Sequence, residues 1–193
     1  MKKDVNKNIL IEQCLISLAN GNLDSMDLLY ETIKKDIYAF ALSKVCNKFD
    51  ADDIFQDTFI RIYENAKLYK PKGKPMAWIF TIENNVINRY FQLKSKQEFI
   101  SDDMINTVKD ETRNDSIDNA IKNEYLNKLL DNLNEFEREV ISLHIVSELK
   151  FSDIAKILNK PLSTILSKYN RAIKKLQKIA KEEELWIRNK LIK

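Results

Sequence analysis

Glycine occurs only twice in the 193 residues and proline three times. With so few turn formers, and with Leu, Ile, Lys, Glu and Asn abundant, the chain reads as all-helical. A single histidine and two cysteines, Cys14 and Cys46, set far apart in apolar helical patterns, exclude a zinc or disulfide framework. Buried free thiols in a reducing cytoplasm fit that usage. No apolar run approaches the roughly 18 residues of a membrane span, and the polar start Met1 to Asn8 is no signal peptide; a soluble chain without membrane insertion is expected. Clustered carboxylates, His or Cys at ligand spacing and a phosphate-cradling Gly loop are all missing, which argues against an enzyme acting on nucleic acid and against any cofactor or metal. Charge of one sign is lacking too: 32 Lys and Arg nearly balance 29 Asp and Glu, for a net +3. Any case for nucleic-acid binding must therefore come from where the charges lie.

What is present is a succession of helical patterns. Ile9 to Ala19 reads as a short helix stopped by Asn20-Gly21. Asp24 or Ser25 offers an N-cap for a longer one, with Leu29, Ile33, Ile37, Phe40 and Ala41 as its buried stripe, continuing to Val45. After Asn47-Lys48-Phe49 comes DADDIFQDTFIRIY, from Asp50 to Tyr63. Ile54, Phe55, Thr58, Phe59 and Ile62 recur at spacings of three and four and form a core stripe. Asp53, Gln56, Asp57, Ile60 and Glu64 recur on the other side, an acidic face with Phe55 and Ile60 at its margin that suits a basic partner. The bland account is that Asp50, Asp52 and Asp53 merely cap the helix and complement its dipole.

From Asn65 to Pro75 the pattern breaks into a loop with Lys67, Lys70, Lys72 and Lys74 and no acid. Together with Tyr69 this loop can hold phosphates and offer a platform to an unstacked base, or it is simply a solvated loop. Met76 to Lys96 returns to helix, with Trp78 read as core. Residues 98–118 hold seven acids against Lys109 and Arg113 and no sustained stripe, as expected of a connector between domains. A second unit starts at Ile121, with Leu126, Leu129, Leu130 and Leu133. Asn134 and Glu137 form a capping-box pattern ahead of Phe136, Val140, Ile141, Leu143 and Ile145, and His144 is read as a helix residue satisfied by its neighbours.

Phe151 to Asn170 has the pattern of a helix-turn-helix. Ser152 is placed as the cap of its first helix, with Ile154, Ala155 and Leu158 inward, and Asn159-Lys160-Pro161 is the turn. In the second helix Ile165, Tyr169, Ala172, Leu176 and Ile179 are the buried stripe. Ser163, Thr164, Ser167, Lys168, Arg171, Lys175 and Lys178 are left for DNA. Six basic residues and no acid lie between Lys168 and Lys181. A charge-solvated hairpin is the plain alternative.

Three of these stretches, in order, resemble extracytoplasmic-function RNA polymerase sigma factors. Asp50 to Tyr63 is similar to that family's D-A-E-D-L-V-Q-E-T-F-L-R-A-W. Ala77, Trp78, Ile79 and Ile82 match its A-W-L-x-x-I helix. Pro161, Thr164, Ile165, Ser167, Lys168, Arg171 and Ala172 match its helix-turn-helix. Departures fall at Glu83-Asn84-Asn85, where the family has Ala-Arg-Asn, at Asn88 for Asp, at Ser163 for Gly and at Leu166 for Lys. A lost Arg and a gained Glu at 83 and 84 would alter or weaken the reading surface.

The resemblance implies an all-α protein of two small helical domains joined by a flexible acidic linker, the second with the helix-turn-helix. Residues 1–97 would dock on core polymerase and read the minus-ten element, 98–120 would be the linker, 121–181 would read the minus-thirty-five element, and 182–193 would be a tail. It gives core-polymerase docking to Asp53, Phe55, Gln56, Asp57, Phe59 and Ile60. Minus-ten contacts fall to Lys67, Tyr69, Lys70, Lys72, Lys74, Asn84, Asn85, Asn88 and Arg89, and minus-thirty-five contacts to Ser163, Thr164, Ser167, Lys168, Arg171 and Lys175. Core polymerase subunits and promoter DNA are the implied partners, with room for an anti-sigma factor. The alternative is a sigma-like helix-turn-helix regulator that does not work through core docking.

Overall fold

The computed structural model describes residues 2–45, 47–100 and 132–191, with side chains for 7–45, 47–96 and 132–181. Among them every regular element is helical. The expected stripe Leu126, Leu129 and Leu130, most of the acidic connector and Cys46 lie outside the described residues.

Helix α1 (Lys2–Ala19) ends where the sequence says it should. Gly21 turns the chain at φ +91°, and its amide and that of Asn22 donate back to the Leu18 and Ser17 carbonyls, closing the last turn. Helix α2 (Asp24–Val45) is opened not by Asp24 or Ser25 but by Asn22, whose side-chain oxygen accepts from the Asp24 amide. A short polar side chain two residues upstream satisfies the free amide at least as well as one inside the first turn. Helix α3 (Lys48–Asn65) is likewise capped by Asn47, accepting from the Asp50 amide, so Asp50 is already in the first turn. A 3-10 turn over Ala66–Leu68 leads to the loop, and α4 (Pro75–Ile100) follows, running past the helix end expected at Lys96.

These four helices pack around Leu15, Leu29, Ile33, Ile37, Phe40, Ile54, Ile62, Ile79, Phe80 and Ile87, all essentially sealed from water. Each such side chain contributes about 1.5–3 kcal/mol on burial. Phe40 of α2 meets Phe80 of α4 edge-on, ring centroids 5.5 Å apart.

Among the described residues the second half opens with α5 (Glu135–Ile141), and the capping box is formed as read: the Asn134 side chain accepts from the Glu137 amide while Glu137 accepts from that of Asn134. The helix ends in a π-helical turn, Ser142–Val146, which carries Ile145 to the surface rather than into the expected stripe. His144 Nδ1 lies 2.8 Å from the Leu149 carbonyl, which can only accept, so this nitrogen carries the proton. Its ring stacks on Phe151 at 4.0 Å and meets the edge of Tyr169. Helix α6 (Phe151–Ile157) is preceded by Lys150 at the cap position, placing Ser152 inside the first turn rather than at its start. Asn159, with φ 50°, makes the turn into α7 (Leu162–Leu191). Ile165 and Ala172 are sealed by α5 and α6.

The halves also touch each other. α5 packs on α2 and α6 on α4, and Val140, Leu143, Ile154, Ile157 and Ile165 join the core of the first half.

Candidate functional site

On α3 the buried stripe consists of Ala51, Ile54, Thr58, Phe59 and Ile62. Thr58 settles its hydroxyl on the Ile54 carbonyl, 2.7 Å away, which is how a polar side chain tolerates the core. The opposite face presents Asp53, Gln56, Asp57 and Ile60 to solvent, Ile60 at 53% exposure. Phe55 is half-buried and Phe59 buried; with Tyr30 and Tyr38 of α2 they form an aromatic cluster at centroid distances of 5.0–5.9 Å. Phe55 and Phe59 therefore shape the surface from below. Periodicity had a further message here: Phe49, Asp53, Gln56, Ile60 and Tyr63 recur at 4-3-4-3, one continuous exposed stripe. Phe49 at 65% and Tyr63 at 51% are its unread members. Burial, then the nearby Asp52 carboxylate, raises the Tyr38 hydroxyl pKa above its ordinary value.

The lysine loop is pinned rather than loose. Tyr69 donates its hydroxyl to Glu12 Oε1 on α1 at 2.6 Å, and the Gly73 amide donates to the same oxygen at 3.0 Å. These donors, Tyr69 first, hold the Glu12 carboxyl below its usual value. Burial, then the Glu12 carboxylate, pushes the Tyr69 hydroxyl well up. The Tyr69 ring lies edge-on to half-buried Trp78, 5.1 Å away. Lys67, Lys70 and Lys72 point to solvent, and on α4 so do Asn85, Asn88 and Arg89. Lys74 is bridged to Asp153 at 2.6 Å, and half-buried Asn84 donates to the Ile157 carbonyl at 2.9 Å.

Glu83 corrects an expectation. Its gain was expected to alter a reading surface, yet it is wholly buried on the inner side of α4, its oxygens without a hydrogen-bond partner. Burial pushes its carboxyl well above the ordinary range, and the Asp36 carboxylate adds to the rise. A protonated side chain is the form such a site holds.

On α7, Ser163, Ser167 and Arg171 are exposed and Thr164 is half-buried. Lys168 sits over the Phe136 ring at 5.8 Å, and Lys175 is 2.6 Å from the buried Glu137 carboxylate. Burial alone would raise the Glu137 carboxyl; the Lys175 ammonium and the Asn134 amide outweigh it and bring it below its usual value. Among the described residues no group of His, Cys, Asp or Glu is arranged to hold a metal ion, and no helix is long and apolar enough to cross a membrane.

The described residues thus form two helical units, the first with an exposed acid-and-aromatic stripe and the second with a basic helix-turn-helix. Residues 29–97 match sigma-70 region 2, and residues 129–178 match sigma-70 region 4, together well over half of the chain. The chain is 28% identical over 153 residues to the ECF RNA polymerase sigma factor SigM of Bacillus subtilis, spanning 79% of this chain and 93% of SigM. It is 29% identical over 139 residues to the ECF RNA polymerase sigma factor EcfG of Rhodopseudomonas palustris, spanning 72% and 75%. Among solved structures, the sigma factor RpoE of Bartonella quintana, in complex with the anti-sigma factor NepR, aligns with TM-score 0.65 at 25% identity, covering 82% of this chain and 98% of that one. CnrH, in complex with the cytosolic domain of CnrY, shares the fold at TM-score 0.64 and 19% identity, over 90% and 98%. The chain belongs to the extracytoplasmic-function sigma factors of RNA polymerase.

Proposed function

We propose that this sigma factor seats on core RNA polymerase through the α3 stripe of Phe49, Asp53, Gln56, Ile60 and Tyr63, with Asp57 beside it and with Phe55 and Phe59 supporting from beneath. The observation that carries this is the side-by-side exposure of carboxylates and large apolar side chains on one helix face. Apolar side chains at the centre of an interface supply affinity while complementary charges set approach and register.

Residues 1–97 form the docking and minus-ten domain, 98–120 the linker, 121–181 the minus-thirty-five domain and 182–193 the tail. Lys67, Lys70, Lys72 and Lys74 hold phosphates, and Tyr69 is the aromatic beside them. Asn84, Asn85, Asn88 and Arg89 face the minus-ten bases, where amides bond base edges directly. Ser163, Thr164, Ser167, Lys168, Arg171 and Lys175 read the minus-thirty-five element from the N-terminal half of α7.

The chain works by binding energy alone, in the cytoplasm, with no bond made or broken. Two tethered promoter contacts raise each other's effective concentration, and the phosphate contacts make affinity fall with salt. An anti-sigma factor is a fitting regulator, since RpoE, which shares this fold, was solved with one.

Run-off transcription tests the whole. Purified core polymerase plus this chain should yield a discrete transcript from a cognate promoter and none from core alone. Promoter binding without core association or transcription would instead establish a sigma-like helix-turn-helix regulator.

A further inference from the structure

The loop between α3 and α4 is held by a residue that belongs to neither helix. Glu12, on α1, accepts through Oε1 from the Tyr69 hydroxyl at 2.6 Å and from the Gly73 amide at 3.0 Å, partners 57 and 61 positions further along the chain. The Tyr69 hydroxyl, the Gly73 amide and the Lys72 amide together hold the Glu12 carboxyl below its usual value, so it stays an ionised acceptor at neutral pH. Gly73 turns at φ +66° with open space where a side chain would stand, so it is the backbone angle, turning the amide toward α1, that calls for glycine. Helix α1 lies ahead of residues 29–97, the stretch that matches sigma-70 region 2.

The pin decides what the loop can show to DNA. Tyr69 has its hydroxyl committed to Glu12 and its half-buried ring edge-on to Trp78, 5.1 Å away, so it braces the loop from behind. Leu68, one position earlier in the 3-10 turn, is left 69% exposed. Lys67, Lys70 and Lys72 beside it in sequence reach solvent too, and because a hydroxyl and an amide occupy Glu12, its charge draws off none of these cations. An apolar side chain held out in water among cations fits a ligand with a flat apolar face on an anionic backbone, which is an unstacked base in its strand. A loop fixed beforehand avoids the ordering cost of a slack one.

We infer that Glu12 is a positioning residue for minus-ten recognition: by pinning Tyr69 and Gly73 it holds Leu68 where that side chain meets the base that leaves the stack. This rests on the minus-ten reading of the loop and deepens it. Leu68 makes the apolar contact, Lys67, Lys70 and Lys72 take the flanking phosphates, and Tyr69 acts through its hydroxyl as a strut rather than through its ring as a platform. Glu12 itself touches no DNA.

The test uses the full chain bound to core polymerase and a labelled fork fragment of the promoter that serves in run-off transcription, its minus-ten strand left single and its bases removed one at a time. In the parent, removal of the captured base should weaken binding by about tenfold, the low end of what a lost apolar contact costs a site. Glu12→Ala, Leu68→Ala and Tyr69→Phe should each weaken binding of the intact fork and lose most of the difference between the intact and the abasic strand. A merely structural role for Glu12 would instead lower binding of every fork alike and leave that difference in place. Full discrimination retained in any one of the three variants overturns the proposal. Tyr69→Phe is the sharpest of them, because it keeps the ring that a platform needs and removes only the strut. Should Glu12→Ala lose helix signal, Leu68→Ala and Tyr69→Phe decide by the same readout. If no base removal matters in the parent, it is the minus-ten reading of the loop that falls, and this inference falls with it.

Discussion

The two halves of the molecule are both helical, yet they are held together differently. In the first, four helices enclose a sealed interior in which Phe40 and Phe80 meet edge-on and Ile33, Ile37, Ile54 and Ile79 fill the space around them. Among the described residues of the second, Leu133, Ile141 and Ala172 group with Tyr169, Ile173 and Leu176, while Val140, Leu143, Leu149, Ile154, Ile157, Leu158 and Ile165 join the core of the first half. Local contacts support it as well: the Asn134–Glu137 box, the Lys175 bridge and the stacking of His144 on Phe151. The first half leaves the outer face of α3 to solvent, whereas the second ties Lys175 of its basic helix into a bridge with its own buried Glu137.

The largest effect that can break this contrast is on stability. Phe40→Ala should cost about 3–5 kcal/mol in urea denaturation and loosen both halves, while Ile141→Ala should cost about 2 kcal/mol, the low end for a large aliphatic. Equal losses would remove the contrast between the two halves. Next comes docking: Asp53→Ala with Gln56→Ala should weaken core-polymerase binding by about 2 kcal/mol, some thirtyfold, with helix content unchanged. An unaltered affinity in a pull-down removes the stripe from the interface.

The division of labour on α7 is sharpened by comparing its cations. Lys168→Ala and Arg171→Ala should each lower the salt slope of promoter binding by about 1. Lys175→Ala should lower the salt slope as well and, unlike the other two, also the melting temperature, because it leaves the buried Glu137 carboxylate without its bridge. The smallest effect is expected at Glu83. Its folded carboxyl titrates well above 4.5, so from that pH up to the raised value the folded state holds the extra proton and stability falls as pH rises. Glu83→Gln keeps the neutral shape, flattens that slope and should raise the melting point at neutral pH by about 2–4 °C, roughly 1 kcal/mol at this chain length.

How far the sequence could be read follows from the range of each interaction. The Asn134–Glu137 box and the Asn20-Gly21 stop are set by neighbours within a few positions, and both form as their residue types require. Buried stripes such as Leu29, Ile33, Ile37, Phe40 and Ala41 are equally local in origin, because helical period alone places them on one face. Caps went astray at Asn22, Asn47 and Ser152, where several short polar residues stand together and only backbone geometry selects among them. Glu83 was misplaced because a carboxylate in the pattern of α4 looks like a surface residue until the helix is docked. The ion pair of Lys44 on α2 with Glu139 on α5, 2.6 Å apart, was out of reach altogether: no periodicity links positions so distant, and charges of both signs are common on every helix.

One backbone angle has a consequence for fidelity. Asn159 joins α6 to α7 in the left-handed region, at φ 50°, where asparagine is tolerated and β-branched residues are strongly disfavoured. A valine there would leave most of the interior intact but swing the axis of the reading helix, and a small tilt at its root displaces the tip by several ångströms over the length of α7. Such a lesion would produce a protein that still boards the polymerase and yet starts it at the wrong places, a loss of aim rather than of folding.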